Sequence, residues 1–449
     1  GMFTHSSNQF QEIIDFMLTE AKRRGASDAV AEVSEGQGLS VTVRKGEVET
    51  IEQSLDKQVG VTVFLGHRRG NASTSDFSKD SLKATVEAAY HIAQHTAEDL
   101  CAGPAEKELL EKHPLDLDLF HPWDLDSATA IDIARAAEGA AFAVSKQIKN
   151  SDGASVSAHH AHFMMGTSHG FMGGYPFSRH YISCAPIANE GGKKSLMQRD
   201  DWYSSSRIPG ELADPAAIGK YAAERALSRL KARSLSTRRC PVIFEAPLAA
   251  GLLGGLVQAV SGGALYRRSS FLLDSLGKQV LPKHVSLFEN PHLKAMTGSV
   301  PFDEEGVKTS ARTVVEKGIL QGYFLSTYSA RKLGMKTTGN AGGSHHLTLQ
   351  SRKTPKGGLP ALLKEMGTGL LVTELMGQGV NYVTGDYSRG AFGYWVENGE
   401  IQYPVEGITI ASNLRDMLMD IQMIGSDTLI RGTKETGSIL IGSMTVGGK

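Results

Sequence analysis

The spacing of apolar residues along the first hundred positions alternates between helix and strand. A stripe of helical period predicts a helix over residues 9–24, with Asn8 and Gln11 at the spacing of a capping box. A second stripe predicts a helix over residues 79–94. Between them, four segments alternate apolar and polar residues as strands do: 28–35, 39–44, 48–55 and 58–65, with turns predicted at 36–38 and 45–46. Together these elements predict an N-terminal antiparallel sheet with helices on it.

The pattern changes twice in the remainder of the chain. Prolines among charged residues predict a linker at 97–123, which is followed by an alanine-rich helix, glycine-interrupted strands and a helix that begins after Asp214. From Val242 onward glycine-dense strands predominate, and Asn398-Gly399 between two alternating segments predicts a hairpin. The predicted fold class is therefore α+β. The predicted domains are an N-terminal α+β domain, a mixed α/β middle domain and a mostly antiparallel β C-terminal domain, at 1–118, 119–236 and 237–449.

Size and composition restrict the class of protein. A chain of 449 residues with 41% hydrophobic and 21% charged residues is typical of a globular protein with more than one core. The formal net charge of -1 gives no electrostatic footprint for nucleic acid or an anionic membrane, so we expect neither as a partner. Cys101, Cys184 and Cys240 are far apart, which argues against a disulfide framework and fits the reducing cytoplasm. The apolar run at 247–260 is too short to cross a bilayer and predicts a buried helix.

No local motif predicts a catalytic site. None of the fifteen histidines is followed by glutamate, so the His-Glu pattern of helix-borne zinc peptidases is absent. The segment GTSHG at 166–170 satisfies GxSxG, but the glycines, proline and aromatic residues after it favour a strand–turn–strand over the elbow of a hydrolase. Cys184 has no activating neighbour in the sequence. The segment GGKKS at 191–195 lacks the residue order of a phosphate loop.

A run of five histidines in the middle region is the one local cluster that could suggest a metal. Its members His160 and His162 would project from one face of a strand. No Asp or Glu occurs between Gly153 and Ile187, and hydrogen-bonded histidines are commoner than metal ligands. A second pair, His345-His346, would point to opposite faces of an extended segment. The pattern therefore favours structural histidines over a metal site.

Several long segments resemble members of the TldD/PmbA metallopeptidase family. The longest are KEMGTGLLVTELMGQG at 364–379, VTGDYSRGA at 383–391, WVENGEIQYPV at 395–405 and SGGALYRRSSFLLDSLGKQVLP at 261–282. Shorter segments are VRKGE at 43–47, NASTS at 71–75 and SARKLG at 329–334. Because they are spread over nearly the whole chain, the resemblance is specific.

The resemblance implies a two-subunit peptidase in which the TldD-type subunit binds zinc on a His-Glu-x-x-x-His helix, with a Cys ligand near its C-terminus. It also implies digestion of unfolded or modified peptides and a part in the maturation of a microcin precursor. This chain departs from TldD at the metal helix. The corresponding segment, LAAGLLGGLVQ at 248–258, contains neither His nor Glu, and no Cys follows Cys240.

The leading hypothesis is that this chain is the metal-free, non-catalytic subunit of a cytoplasmic heterodimeric metallopeptidase. We expect no cofactor in this chain, zinc in a TldD-type partner subunit, and unfolded peptides as substrates. It assigns no catalytic and no metal-binding residue to this chain. The alternatives are a stand-alone hydrolase that uses the histidine cluster or Cys184, and a non-enzymatic peptide-binding scaffold. Whether the isolated chain forms a homodimer is left open.

Two glycine-bearing segments are predicted to contact peptide or partner, with ordinary turns as the alternative. Their residues are Thr338, Gly339, Asn340, Asp386, Tyr387, Ser388 and Arg389.

Overall fold

The computed structural model describes residues 2–192 and 196–448. Residue contacts divide the chain into two compact units. The first comprises residues 1–227, 294–297 and 301–309, and the second comprises residues 228–293, 298–300 and 310–449. The division into three domains stays a prediction. Residues 193–195, which belong to the GGKKS segment, lie outside the described residues.

The first unit alternates long strands with amphipathic helices. Its helices are α1 (Ser7–Arg23), α2 (Lys79–His95), α3 (Ser127–Val144) and α4 (Pro215–Ser228), the last of which ends one residue beyond the unit. Its strands are β1 (Asp28–Arg44), β2 (Glu47–Leu65), β3 (Arg68–Thr74), β4 (Ile148–Thr167), β5 (Met172–Gly173), β6 (Pro176–Asn189), β7 (Met197–Arg199) and β8 (Trp202–Ser206). They form one antiparallel sheet in the order β3-β2-β1-β4-β6-β7, with β5 beside β4 and β8 beside β6.

Strand β1 is continuous, so the turn predicted at 36–38 is wrong, whereas the turn predicted at Lys45-Gly46 is present between β1 and β2. Gly36 lies inside the ladder, opposite Asp56 on β2 and Ala161 on β4. It leaves room for the ring of His159, which is 3.4 Å from the position that a Cβ on Gly36 would take. Glycine here marks a close approach within a strand rather than a turn.

Helices α1 and α2 pack on the first part of this sheet. Phe10, Ile14 and Met17 of α1 are fully buried in one core with Val33 of β1 and the valines of β2 at 59, 61 and 63. The capping box lies two residues before the predicted one: the Ser6 hydroxyl accepts the N–H of Gln9, and the Gln9 side chain accepts the N–H of Ser6. A capping box at Ser6 lets α1 begin at Ser7.

The second unit contains most of the short strands. Its helices are α5 (Ala246–Ala259), α6 (Gly262–Tyr266), α7 (Thr327–Lys332), α8 (Gly358–Met366) and α9 (Leu414–Met419). Its strands are β9 (Arg238–Phe244), β10 (Val285–Glu289), β11 (Arg312–Glu316), β12 (Ile319–Leu320), β13 (Leu347–Ser351), β14 (Gly369–Met376), β15 (Asp386–Glu397), β16 (Glu400–Asn413), β17 (Ile421–Ile424), β18 (Leu429–Arg431), β19 (Lys434–Thr436) and β20 (Ile439–Gly448).

These strands form two six-stranded sheets. One has the order β12-β11-β10-β13-β19-β18, and the other has the order β16-β15-β14-β9-β20-β17, with a further β16–β20 pairing that closes five of its strands into a ring. Most pairings are antiparallel, but β13–β19 and β14–β9 are parallel. The hairpin predicted at Asn398-Gly399 is present, with Glu397 opposite Glu400. The predicted α+β fold class is confirmed.

Helix α5 lies in the core of the second unit. Leu252, Leu253 and Leu256 pack there with side chains from both sheets. The buried helix predicted at 247–260 is therefore confirmed, with bounds one residue earlier at each end. Across residues 2–192 and 196–448, no helix combines the length and the apolar character needed to cross a membrane.

Candidate functional site

Helix α5 contains the segment 248–258, where the resemblance drawn from the sequence implies the metal ligands of a TldD-type subunit. It follows β9 directly, and Glu245 is its N-cap residue. Its buried positions are alanine, leucine and glycine, and its exposed positions include Gly251 and Gln258. None of its side chains is an imidazole, a thiolate or a carboxylate, the groups that bind zinc in proteins. The residues on α5 therefore do not fit a zinc ion.

A lysine lies against the glycine side of α5. The Cε atom of Lys434, on β19, is 3.6 Å from the position that a Cβ on Gly254 would take. Burial lowers the pKa of Lys434. Lysine is not among the usual zinc ligands, so this side chain adds no metal-binding group to the helix. In the two described stretches of the chain, no group of three or more His, Cys, Asp or Glu side chains is placed to hold a metal ion.

The first predicted contact segment, 338–340, takes part in a buried polar network. The Thr338 hydroxyl donates to Asn340 Oδ1 at 2.6 Å, and Asn340 Nδ2 donates to Glu289 Oε2 at 3.0 Å. His345 Nε2 binds the carbonyl of Gly339 at 2.7 Å, and its backbone N–H donates to Glu289 Oε2 at 2.9 Å. Arg312 completes the network through a 2.8 Å bond from Nε to Glu289 Oε1. The Asn340 amide is thus engaged inside the unit rather than presented to a ligand.

The second predicted contact segment opens strand β15 and alternates in exposure. Asp386 and Ser388 are exposed, while Tyr387 is buried in the core and burial raises its pKa to about 12. Arg389 is half-buried, and its Nη2 donates to the carbonyl of Gly377 at 3.0 Å. Among the residues that the structure describes, no hydrogen bond joins this segment to 338–340. Asp386 and Ser388 are therefore the members of the predicted set best placed to meet a peptide or partner.

The histidine cluster has a carboxylate partner that the sequence pattern did not reveal. His162 Nε2 lies 2.7 Å from Glu35 Oε1, and Glu35 also accepts bonds from the backbone and ring of His5. Burial alone would raise the pKa of Glu35, but the bonds from His162 and His5 outweigh it and hold the pKa below its usual value. The His162 ring is stacked on Phe10 and tilted against Phe3, with centroids 4.2 Å away in both cases. The phenyl rings occupy the space around the imidazole, which indicates a structural role.

The other two buried histidines attach the predicted linker to the sheet. The Trp123 N–H donates to His160 Nε2 at 2.9 Å, so this nitrogen is unprotonated. Burial, with smaller contributions from His180 and His159, lowers the pKa of His160 to about 4. His180 Nε2 lies 2.9 Å from the carbonyl of His121. The Nε2 atoms of both histidines are therefore used by backbone groups, while the Nδ1 atom of His180 is buried without a hydrogen-bond partner among the described residues.

The GxSxG serine lies in the turn between β4 and β5, not at the start of a helix. Ser168 donates its hydroxyl hydrogen to Asp28 Oδ1 at 2.8 Å. His169 Nε2 is 3.1 Å from the same carboxylate oxygen, and His169 Nδ1 binds the carbonyl of Ala105. In a catalytic triad the histidine lies between the serine and the carboxylate. Here the carboxylate lies between them, so this arrangement does not activate the serine.

Cys184 is also unsuited to catalysis. Its side chain is fully buried in strand β6, and burial, with a smaller contribution from Glu138, raises the pKa of the thiol to about 12. Thiolate is the nucleophilic form of cysteine, and a thiol with so high a pKa stays protonated at neutral pH.

Family models cover most of the chain. The model of the PmbA/TldA metallopeptidase C-terminal domain matches residues 237–448. The model of the central domain of this family matches residues 120–230, and the model of its domain 1 matches residues 29–93.

Relatives match over nearly the whole length. A metalloprotease PmbA homolog of Haemophilus influenzae is 47% identical over 440 residues, with 98% of this chain and 96% of that protein covered. The metalloprotease PmbA of Escherichia coli is 47% identical, with 96% and 94% covered. The crystal structure of TldE from Thermococcus kodakarensis shares the fold, with a TM-score of 0.83, 18% identity and coverage of 99% of this chain and 100% of that one. The chain therefore belongs to the TldD/PmbA metallopeptidase family.

Proposed function

We propose that this chain is the metal-free, non-catalytic subunit of a TldD/PmbA-type peptidase. Its partner is a TldD-type subunit that binds zinc and performs the hydrolysis. The observation that carries the proposal is helix α5, which has no zinc-binding side chain at the place where the resemblance puts the ligands of the catalytic subunit. The side chain of Lys434, which lies beside that helix, adds no usual zinc ligand.

The role of the chain is to complete the peptide-binding surface of the pair. The exposed side chains of Asp386 and Ser388 offer hydrogen-bonding groups at the start of β15, where the backbone is already paired with β16 and with residues 379–381. Recognition of the main chain of an extended peptide by such polar groups tolerates many side chains, which suits unfolded or modified peptides as substrates. By resemblance, a microcin precursor would be one such substrate, and the cytoplasm would be the compartment.

The stand-alone hydrolase is the weaker alternative. The hydroxyl of Ser168 is bonded to a carboxylate instead of an imidazole. Burial raises the pKa of Cys184 to about 12. His160 and His162 are both bonded within the protein. None of these groups has the environment of an activated nucleophile or an open metal site.

The proposal predicts that the purified chain contains less than stoichiometric zinc after dialysis against zinc-containing buffer. Elemental analysis measures this directly, and a TldD-type subunit treated in parallel should retain one zinc ion per chain. As a control, a His160→Ala/His162→Ala variant should give the same low zinc content as the parent chain. A one-to-one zinc content that disappears in this double variant would instead assign a metal site to the histidine cluster.

A further inference from the structure

Strand β2 has a long stretch of backbone that is paired on one side only. β1 pairs with it from Glu47 to Phe64, but β3 pairs with it only from Val59 to Leu65. In the described part of the chain, no strand lies on the other side of residues 47–58, and all twelve of these residues are exposed. We call this side of residues 47–58 the β2 edge. It presents roughly 40 Å of extended backbone whose outward N–H and C=O groups have no strand partner.

The β2 edge lacks most of the features that protect exposed edges from pairing. Natural edges are usually short or carry proline, lysine or bulges. The segment EVETIEQSLDKQ contains no proline, no glycine and a single lysine. That lysine, Lys57, is at the covered end and has its Nζ 4.8 Å above the ring of Phe77. The one irregularity of the β1–β2 ladder lies near the hairpin tip, at Thr42/Val43.

Apolar side chains line one face of the β2 edge. Val48, Ile51 and Leu55 are 39%, 48% and 84% exposed. Val48 lies opposite Val43 and Ile51 lies opposite Val41, and both of these β1 valines are fully buried. The apolar face of the sheet therefore continues onto β2 and stops there without cover. A strand added to the β2 edge would complete the ladder and place its own side chains beside Ile51 and Leu55, which would reduce their exposure.

The charge of the edge indicates what kind of strand would pair with it. It carries four carboxylates, Glu47, Glu49, Glu52 and Asp56. Two copies of this chain paired edge to edge would bring eight carboxylates into one short ladder, and like charges across strands are destabilising. A second copy is therefore a poor occupant. A strand with basic residues among its apolar ones is complementary in both charge and hydrophobicity.

We infer that the zinc-bearing partner subunit pairs a basic, partly apolar strand with the β2 edge and so extends the sheet of the first unit across the subunit interface. This inference rests on the proposed function, because it names the surface on which the two subunits meet. The contact depends on backbone hydrogen bonds along 47–58, on burial of Ile51 and Leu55, and on the four carboxylates.

Hydrogen exchange of this chain alone and mixed with the purified zinc-loaded TldD-type subunit tests the contact. In the complex, alternate amides of 47–58 should exchange at least about tenfold more slowly, because they gain strand partners. Leu55→Lys should weaken the affinity for the partner by about tenfold, because pairing would bury an ammonium group against a basic strand. The matched control is Leu100→Lys, since Leu100 is 75% exposed and lies outside β2; its affinity should equal that of the parent chain.

The outcomes separate this inference from the proposed function. The wild-type chain could bind the TldD-type subunit tightly without protection of 47–58, or the Leu55→Lys variant could bind it with full affinity. Either result overturns the contact at the β2 edge and leaves the two-subunit function standing. Failure of the wild-type chain to bind the TldD-type subunit overturns both. In the absence of the partner, protection of 47–58 could increase with the concentration of this chain. That result would assign the β2 edge to pairing with a second copy and overturn the choice of partner. The exchange measurement uses the wild-type chain and does not depend on how well the variants fold.

Discussion

Replacing Glu289 by alanine is expected to lower the free energy of unfolding by about 3–5 kcal/mol, as when one partner of a buried ion pair is removed. The carboxylate is 2% exposed and accepts hydrogen bonds from Arg312, Asn340 and the backbone of His345. Alanine would leave all three donors without their acceptor inside the second unit. Urea denaturation measures the loss, and hydrogen exchange over 338–345 should become faster in the folded variant.

The control for this change is Glu316→Ala, on strand β11. Glu316 is exposed, so its removal should change the free energy of unfolding by no more than about 0.5 kcal/mol. If the two variants were equally stable, the network around Glu289 would not hold segment 338–340 in place. Asn340 would then be free to serve as the contact residue that its sequence suggested.

Replacing Gly219 by alanine is expected to destabilise the first unit by about 3 kcal/mol, because the added methyl group overpacks a backbone contact. Gly219 is in α4, and a Cβ there would lie 1.8 Å from the carbonyl oxygen of Ala137 in α3. The oxygen belongs to the helix backbone and cannot rotate away as a side chain could. The two helices would have to move apart, which thermal and urea denaturation would report.

Gly139 provides a control of opposite sign on the same pair of helices. It lies in α3, is exposed, and has no atom within 4 Å of the position of an added Cβ. Gly139→Ala should raise the free energy of unfolding by about 0.5–1 kcal/mol, because glycine in a helix costs backbone entropy. A Gly219→Ala variant that is as stable as Gly139→Ala would contradict the close backbone contact between α3 and α4.

Much of the fold could be predicted because its signals are local. The periodicity of Phe10, Ile14 and Met17 predicts α1, and Asn398-Gly399 predicts a hairpin at the right position. The glycines at 36 and 38 misled the prediction, because glycine marks both turns and close approach within a strand. Only the pairing of β1 with strands on both sides, which the sequence does not display, decides between these meanings.

The environment of the candidate site was harder to predict because its partners are distant in sequence. Glu35 is 127 residues from His162, and Glu289 is 51 residues from Asn340. No local pattern links either pair, and the sheet register that brings Glu35 opposite His162 depends on the whole fold. The glycine-bearing segments were recognisable from sequence, but the burial of Gly339, Asn340 and Tyr387 was not. What the sequence did establish was the absence of zinc-binding side chains from the helix at 248–258.

The most direct test of the two-subunit function is the cleavage of an unfolded peptide by each subunit alone and by both together. The experiment uses this chain, the cognate TldD-type subunit and their equimolar mixture, each with and without a zinc chelator. We expect no cleavage above background from this chain alone, and cleavage by the mixture that exceeds that of the TldD-type subunit and disappears with the chelator. Robust cleavage by this chain alone, unaffected by the chelator, would contradict its assignment as the metal-free subunit.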